Sequence, residues 1–194
     1  MNILKYNLVI IIIIGFANTL KVSGQQLATL KPLSQTDTDF LEQNNVYVKD
    51  VNNDLDKFIG IWKGVVNSRT YEFIIERHID NAENFVYKVD VLVMRYVIKD
   101  DISGNIVEST LPKPIDSNLN VYGSDLQNPN EYRFNYYGNN AKCGQEGVIV
   151  TSKIDANSLE LVLLPDHILL IKEQCPDGYA EQIIPTKSII LSKE

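Results

Sequence analysis

The chain has 194 residues, and 18 Lys and Arg against 25 Asp and Glu give it a formal net charge of -7 at pH 7. Because the Lys and Arg residues nowhere form a cluster, this charge argues against nucleic acids and anionic lipid surfaces as partners, since both attract concentrated positive charge. The composition, with 44% apolar and 22% charged residues, is that of a globular protein and excludes disorder of the whole chain. The length suits one domain, alone or with a flexible arm.

Residues 1–24 have the layout of a secretory signal peptide. Lys5 precedes an apolar run, Leu8–Ala17, and small residues at 22–24 precede Gln25. The apolar run is shorter than the roughly 20 residues that a membrane-spanning helix needs. We therefore predict cleavage after Gly24, with Ala17 as the competing site, and a secreted or periplasmic protein with no membrane span after cleavage. A retained membrane anchor is the alternative.

The chain contains only two cysteines, Cys143 and Cys175. In an exported protein, two thiols are most simply explained by one disulfide. The alternative is a zinc site or a catalytic thiol. Zinc favours further Cys or His ligands at close spacing, and the chain has only His78 and His167. The sequence therefore predicts a Cys143–Cys175 disulfide and no metal site.

Residues 25–45 are polar and lack periodicity, so they are predicted to form an N-terminal arm. From Val46 onward, short β-branched and aromatic runs alternate with turn residues, and no amphipathic helix is predicted. The predicted strands are Phe58–Val66, Thr70–His78, Phe85–Lys99, Asn105–Leu111, Glu131–Tyr137, Glu146–Lys153, Ser158–Leu164, Ile168–Gln174 and Thr186–Ser192.

Short turns between these strands indicate antiparallel hairpins. A meander of about eight or nine strands is typical of a barrel or a sandwich, and a barrel leaves no exposed sheet edge. We therefore predict an all-β fold in which residues 46–194 form an antiparallel up-and-down barrel. Ile168–Ile171 is apolar on both faces, which predicts a strand covered on both sides or one that carries a bulge. The long connection 112–130 is predicted to be a lid, a binding loop or a mobile segment.

One segment carries a family resemblance. Asp54 is positioned to cap a short helical turn, after which Gly60 and Gly64 flank Trp62, the only tryptophan, on one face of the first strand. Gly60-Ile61-Trp62 resembles the G-x-W marker of lipocalin-like (calycin) barrels. The run Leu55–Trp62 is also similar to the opening of an uncharacterised family of secreted bacterial proteins.

The resemblance implies a cup that holds a small, largely apolar or amphipathic ligand, with Trp62 at its floor. Lipocalins often stack an Arg from the C-terminal region on this Trp. No Arg follows Arg133 in this chain, so Lys187 would have to take that place or the contact is missing. The inward side chains predicted to line the cup are Phe73, Ile75, Val89, Phe134, Leu161 and Leu163.

Two other functions stay open at this point. A barrel filled by its own side chains would be a non-catalytic surface or matrix protein that binds carbohydrate or protein through an outer face. A hydrolase or isomerase built in the cup is the third hypothesis. We expect no enzyme and no cofactor, because no catalytic or phosphate-binding motif is present.

Three further groups of residues are candidate sites. His78 and His167 are predicted to be ordinary surface histidines. The segment Asp50–Asp56 carries oxygen ligands at alternate positions, as calcium prefers, but it lacks the Gly and Glu of an EF-hand. It is therefore either a calcium site of another kind or a set of ordinary turn and cap residues. A further group consists of tyrosines suited to stacking on sugars or lining a cup, or simply favoured in strands. These tyrosines are Tyr122, Tyr132, Tyr136 and Tyr137.

Overall fold

The structure is a computed structural model and describes residues 25–36, 38–41, 45–81, 87–114 and 121–194. The predicted signal peptide therefore lies outside the described residues. The strands are β1 Gln26–Thr29, β2 Val46–Lys49, β3 Gly60–Val66, β4 Arg69–Asn81, β5 Lys88–Asp100, β6 Ile106–Ser109, β7 Val121–Asn128, β8 Glu131–Tyr137, β9 Glu146–Lys153, β10 Ser158–Pro165 and β11 Ile189–Lys193. Helical structure within these ranges is confined to α1 Thr38–Leu41 and two 3-10 turns, Leu33–Gln35 and Ala141–Cys143.

Eight antiparallel strands close into an up-and-down barrel in the order β3, β4, β5, β7, β8, β9, β10, β11. The first and last strands join, with Ser192 of β11 opposite Lys63 of β3. The contact between β5 and β7 is short and includes Met94 opposite Val121. The predicted all-β, lipocalin-like barrel is confirmed.

The edge of β5 that faces β7 is shared by three strands. β2 pairs with its beginning, β7 with its middle and β6 with its end. β1, from the predicted arm, pairs in parallel with β2, with Gln26 opposite Val46. The described part of the arm thus extends the sheet beyond the barrel.

The two barrel ends differ in how they are closed. At the lower end, where β3 begins and β11 ends, turns at 54–58 precede β3 and bury Leu55 and Phe58 completely. At the upper end, the chain leaves β10 and runs through residues 166–188, which we call the strap, before it returns as β11. These closures position the features of the candidate site.

Two predicted elements differ from the structure. Ile168–Gln174 is not a strand, because the chain leaves the sheet after Pro165 and turns at 171–175. The connection 112–130 is not a single loop, since β7 occupies Val121–Asn128, while residues 115–120 lie outside the described part. No helix among the described residues has the length and apolar character needed to cross a bilayer.

Candidate functional site

Trp62 seals the lower end of the barrel. Its ring is fully buried, and its Nε1–H donates to the carbonyl of Phe58 at 2.7 Å. The ammonium groups of Lys153 and Lys193 lie 4.1 and 5.2 Å from the ring centroid. A Cβ on Gly60 would lie 2.6 Å from the Lys193 side chain, so this glycine leaves room for the lysine beside the indole. The Trp62 ring is thus buried in the core and covered by the side chains of Lys153 and Lys193.

The cation expected on the indole comes from a different residue than predicted. Lys187 lies at the upper end, and Lys153 and Lys193 take the place that it was expected to fill. Burial, together with the nearby positive charge of Lys193, lowers the pKa of Lys153. Sequence alone does not indicate which of several lysines reaches the ring, because that depends on where the ends of β9 and β11 lie when the barrel closes.

The predicted wall of the cup is a packed core. Phe73, Ile75, Phe134, Leu161 and Leu163 all point into the barrel and are at most 1% exposed. Aromatic rings fill the space between them; the rings of Tyr132 and Phe134, for example, meet edge-on with centroids 4.9 Å apart. The interior positions are therefore occupied by the protein's own side chains.

Val89 does not belong to this wall. It lies outside the barrel in a second apolar cluster with Leu41, Val46, Val48 and Val91. The reason is strand parity, because the even-numbered β5 residues 92, 94, 96 and 98 belong to the barrel core. Alternation along β5 turns Val89 toward the arm.

The strap is fixed to the upper end by a disulfide and by hydrogen bonds. Cys143 and Cys175 are bonded with their Cα atoms 5.6 Å apart, which confirms the predicted disulfide. The N–H of Ala180 donates to the carbonyl of Cys143 at 2.8 Å. Ile184 is 1% exposed and joins the barrel core. The strap is therefore anchored at several points.

A cleft with a volume of about 590 Å³ opens between the strap and the β3–β4 hairpin, and we call it the rim cleft. The hairpin contributes Val66, Asn67, Arg69 and Tyr71. Tyr71, only 4% exposed, belongs to the barrel core. The strap and the first residue of β11 contribute the opposite wall, residues 181–189.

The polar groups of the rim cleft have specific partners. The guanidinium of Arg69 lies 3.6 Å from the carboxylate of Glu181, an exposed pair. Gln182 donates its Nε2–H to the carbonyl of Gly144 at 2.5 Å. Its Oε1 is buried and has no hydrogen-bond partner among the described residues. The cleft thus combines two cationic side chains, Arg69 and Lys187, with the carboxylate of Glu181.

Sequence analysis missed the rim cleft because its two walls are more than a hundred residues apart. The one available signal was the spacing between β10 and the final predicted strand, which is too long for a hairpin once Ile168–Gln174 is removed from the sheet. The sequence instead predicts a lid, a binding loop or a mobile segment at 112–130.

The Asp50–Asp56 segment forms a structural polar cluster. Both carboxylate oxygens of Asp50 accept backbone N–H groups, from Asp54 at 2.7 Å and Leu55 at 3.0 Å. Arg77 donates to Asp50 at 2.9 Å and to Asp56 at 2.7 Å. Asp50, not Asp54 as predicted, therefore caps the turn. No group of three or more His, Cys, Asp or Glu in the described ranges is arranged for a metal ion.

The other candidate residues do not converge on one site. His167 is exposed in the strap, and His78 makes an edge contact with the Tyr122 ring on the barrel surface. Tyr132 and Tyr136 are buried in the core, whereas Tyr137 is 51% exposed. The tyrosines thus do not form a single stacking platform.

Comparison with protein-family models, with curated proteins and with solved structures finds no match to this chain.

Proposed function

We propose that the protein is an exported, non-catalytic binding protein that takes a small anionic amphiphile in the rim cleft. The observation that carries the proposal is the contrast between the filled interior of the barrel and the open cleft at its upper end. The interior is filled by large side chains, whereas a cleft of about 590 Å³ remains open beside the strap. This volume lies in the range of roughly 300–1,000 Å³ that is usual for small-molecule sites.

The chemistry of the cleft supports an amphiphilic ligand. Lys187 supplies positive charge for a carboxylate or phosphate head group, and so does Arg69 when the head group takes the place of the exposed carboxylate of Glu181. Val66 and Ile183 supply apolar surface. Apolar contact with Val66 and Ile183 adds about 25 cal/mol for each Å² of apolar surface buried.

The filled interior weakens the hypothesis of a ligand inside the barrel. A ligand there would displace side chains such as Phe73 and Phe134, both 0% exposed. Because a small barrel can be filled by its own residues, the interior supports the packed-barrel part of the alternative hypothesis. The proposal therefore moves the ligand from the floor at Trp62 to the upper rim.

Export is supported by two features. The disulfide is the kind of crosslink that persists in oxidising compartments. Residues 1–24 have the composition of a signal peptide. Both features support export to the periplasm or the medium.

The test is calorimetric titration with decanoate, compared with neutral decan-1-ol. The double variant Arg69→Gln/Lys187→Gln is expected to weaken decanoate binding at least about tenfold, because two cations facing the head group are lost. Lys49→Gln is the matched control, since it removes an exposed charge on β2 away from the cleft. Equal decanoate affinity in all three proteins, or no binding at all, would contradict the proposal.

A further inference from the structure

The strap exposes an apolar segment, Ile168–Ile171, to solvent. Leu169 is 97% exposed and Ile171 is 53% exposed. The run Ile168–Ile171 has the composition of a buried strand, yet the structure holds it outside the sheet. Such a segment is a template for pairing with another strand.

The backbone of this segment makes few hydrogen bonds to the other residues that the structure describes. The hydroxyl of Tyr179 donates to the carbonyl of Ile168 at 2.6 Å, on the side that faces the rest of the strap. Successive residues of an extended chain present their N–H and C=O groups to opposite edges. In an extended segment, the backbone groups of His167 and Leu169 face away from Tyr179. Within the described chain, the N–H groups of residues 168–170 donate no backbone hydrogen bond.

We propose that this edge pairs with the same segment of a second copy, antiparallel, with Leu169 opposite its equivalent on a two-fold axis. Leu169 then forms a hydrogen-bonded pair with itself, and the carbonyl of Ile168 stays with Tyr179. Two exposed leucine side chains cover each other at the centre. An interface of this kind is isologous, as in most homodimers.

Charged residues on both sides of the segment favour pairing with a second copy of the chain, and they favour one register of that pairing. With Leu169 on the axis, Asp166 lies opposite Lys172 of the other copy, twice by symmetry. Both residues are exposed, and neither forms an ion pair within the described chain. A register moved by half a residue pair, with the axis between Leu169 and Leu170, would place Asp166 opposite Glu173. Opposite charges across a pair stabilise it and like charges destabilise it.

Sedimentation of the purified protein over a concentration series tests the pairing through charge reversal. Asp166→Lys and Lys172→Asp should each weaken dimerisation at least about tenfold, because each creates two like-charged pairs. The double variant should return to within about threefold of the natural protein. An equimolar mixture of the two single variants should form heterodimers, since both of its charge pairs are then opposite.

Cysteine crosslinking tests the register independently of charge. Leu169→Cys should form an intermolecular disulfide on mild oxidation, because a hydrogen-bonded antiparallel pair brings Cα atoms to about 5.5 Å. Ile171→Cys is the matched control. It is exposed on the same segment but lies about 13 Å along the strand from its equivalent. A protein that stays monomeric at every concentration, or equal crosslinking of both variants, would overturn the proposal.

Discussion

The ammonium of Lys153 lies 4.1 Å from the centroid of the Trp62 ring, and Lys193 approaches the same ring at 5.2 Å. The indole is therefore enclosed between the barrel core and two lysine side chains. This arrangement makes Trp62 a structural seal of the lower end, whereas the rim cleft lies open at the upper end.

The two lysines should influence each other's titration. Replacing Lys193 with Met removes the positive charge that helps to lower the pKa of Lys153, so this pKa should rise toward its ordinary value while the effect of burial remains. Carbon-13 NMR of the Lys153 side chain, followed against pH, measures this change. Lys99→Met, exposed near the upper end of β5 and opposite Thr70, should leave the titration unchanged. An unchanged Lys153 titration in the Lys193 variant would disprove the proximity.

Asp50 and Asp56 share Arg77 as a partner but should differ in their contribution to stability. Asp50 is 2% exposed and caps the turn before β3, so Asp50→Ala should lower the free energy of unfolding by about 3 kcal/mol. Asp56→Ala removes a largely exposed carboxylate and should cost less than about 1 kcal/mol. Urea denaturation followed by Trp62 fluorescence compares the two. Equal costs would mean that Asp50 is not the group that holds the turn.

The buried tyrosines should make the fold sensitive to alkali. Burial raises the pKa of Tyr96, Tyr132 and Tyr136, while burial and a hydrogen bond to Asp90 raise that of Tyr47 to about 12. Since these pKa values exceed the unfolded value near 10, the stabilisation is complete below pH 10 and declines as the pH rises through the folded pKa values. Absorbance at 295 nm should show these tyrosines ionising only with unfolding. Smooth ionisation of all tyrosines near pH 10 in folded protein would contradict this.

The disulfide should stabilise the strap more than the barrel floor. Its ends are 32 residues apart in sequence, and chain entropy assigns such a loop about 3.7 kcal/mol. The Cys143→Ser/Cys175→Ser variant should lose about this much stability and should exchange the amide hydrogens of residues 166–188 faster. Amide exchange near Trp62 should become faster only by the amount that the loss of global stability explains. Unchanged protection of the strap would show that its hydrogen bonds suffice.

The barrel could be predicted because its strands alternate strongly and their turns are short. Phe73 and Ile75 illustrate this, since their shared face is the core face in the structure. β7 was missed because Gly123 lies in a polar run that is typical of a loop. The structure explains that glycine, because a Cβ there would lie 2.3 Å from the Tyr132 hydroxyl and 2.5 Å from the Leu92 carbonyl. Close packing between distant strands has no local sequence signal.

The site could be predicted only in part for a similar reason. Trp62 was identified as the residue that closes one end, but the pattern of apolar residues does not reveal whether a barrel is hollow. Ile168–Ile171 has strand composition, but tertiary contacts, among them the disulfide and the Tyr179 hydroxyl, anchor the strap outside the sheet. The rim cleft depends on those same contacts.

The most direct measurement is methyl NMR of the protein during a titration with decanoate. Binding at the rim should shift the methyl signals of Val66 and Ile183, which line the cleft, and leave those of Ile75, Leu159 and Leu161 in place. Shifts at Ile75, Leu159 and Leu161 with no change at Val66 and Ile183 would show that the ligand enters the barrel interior, and would contradict a binding site at the rim.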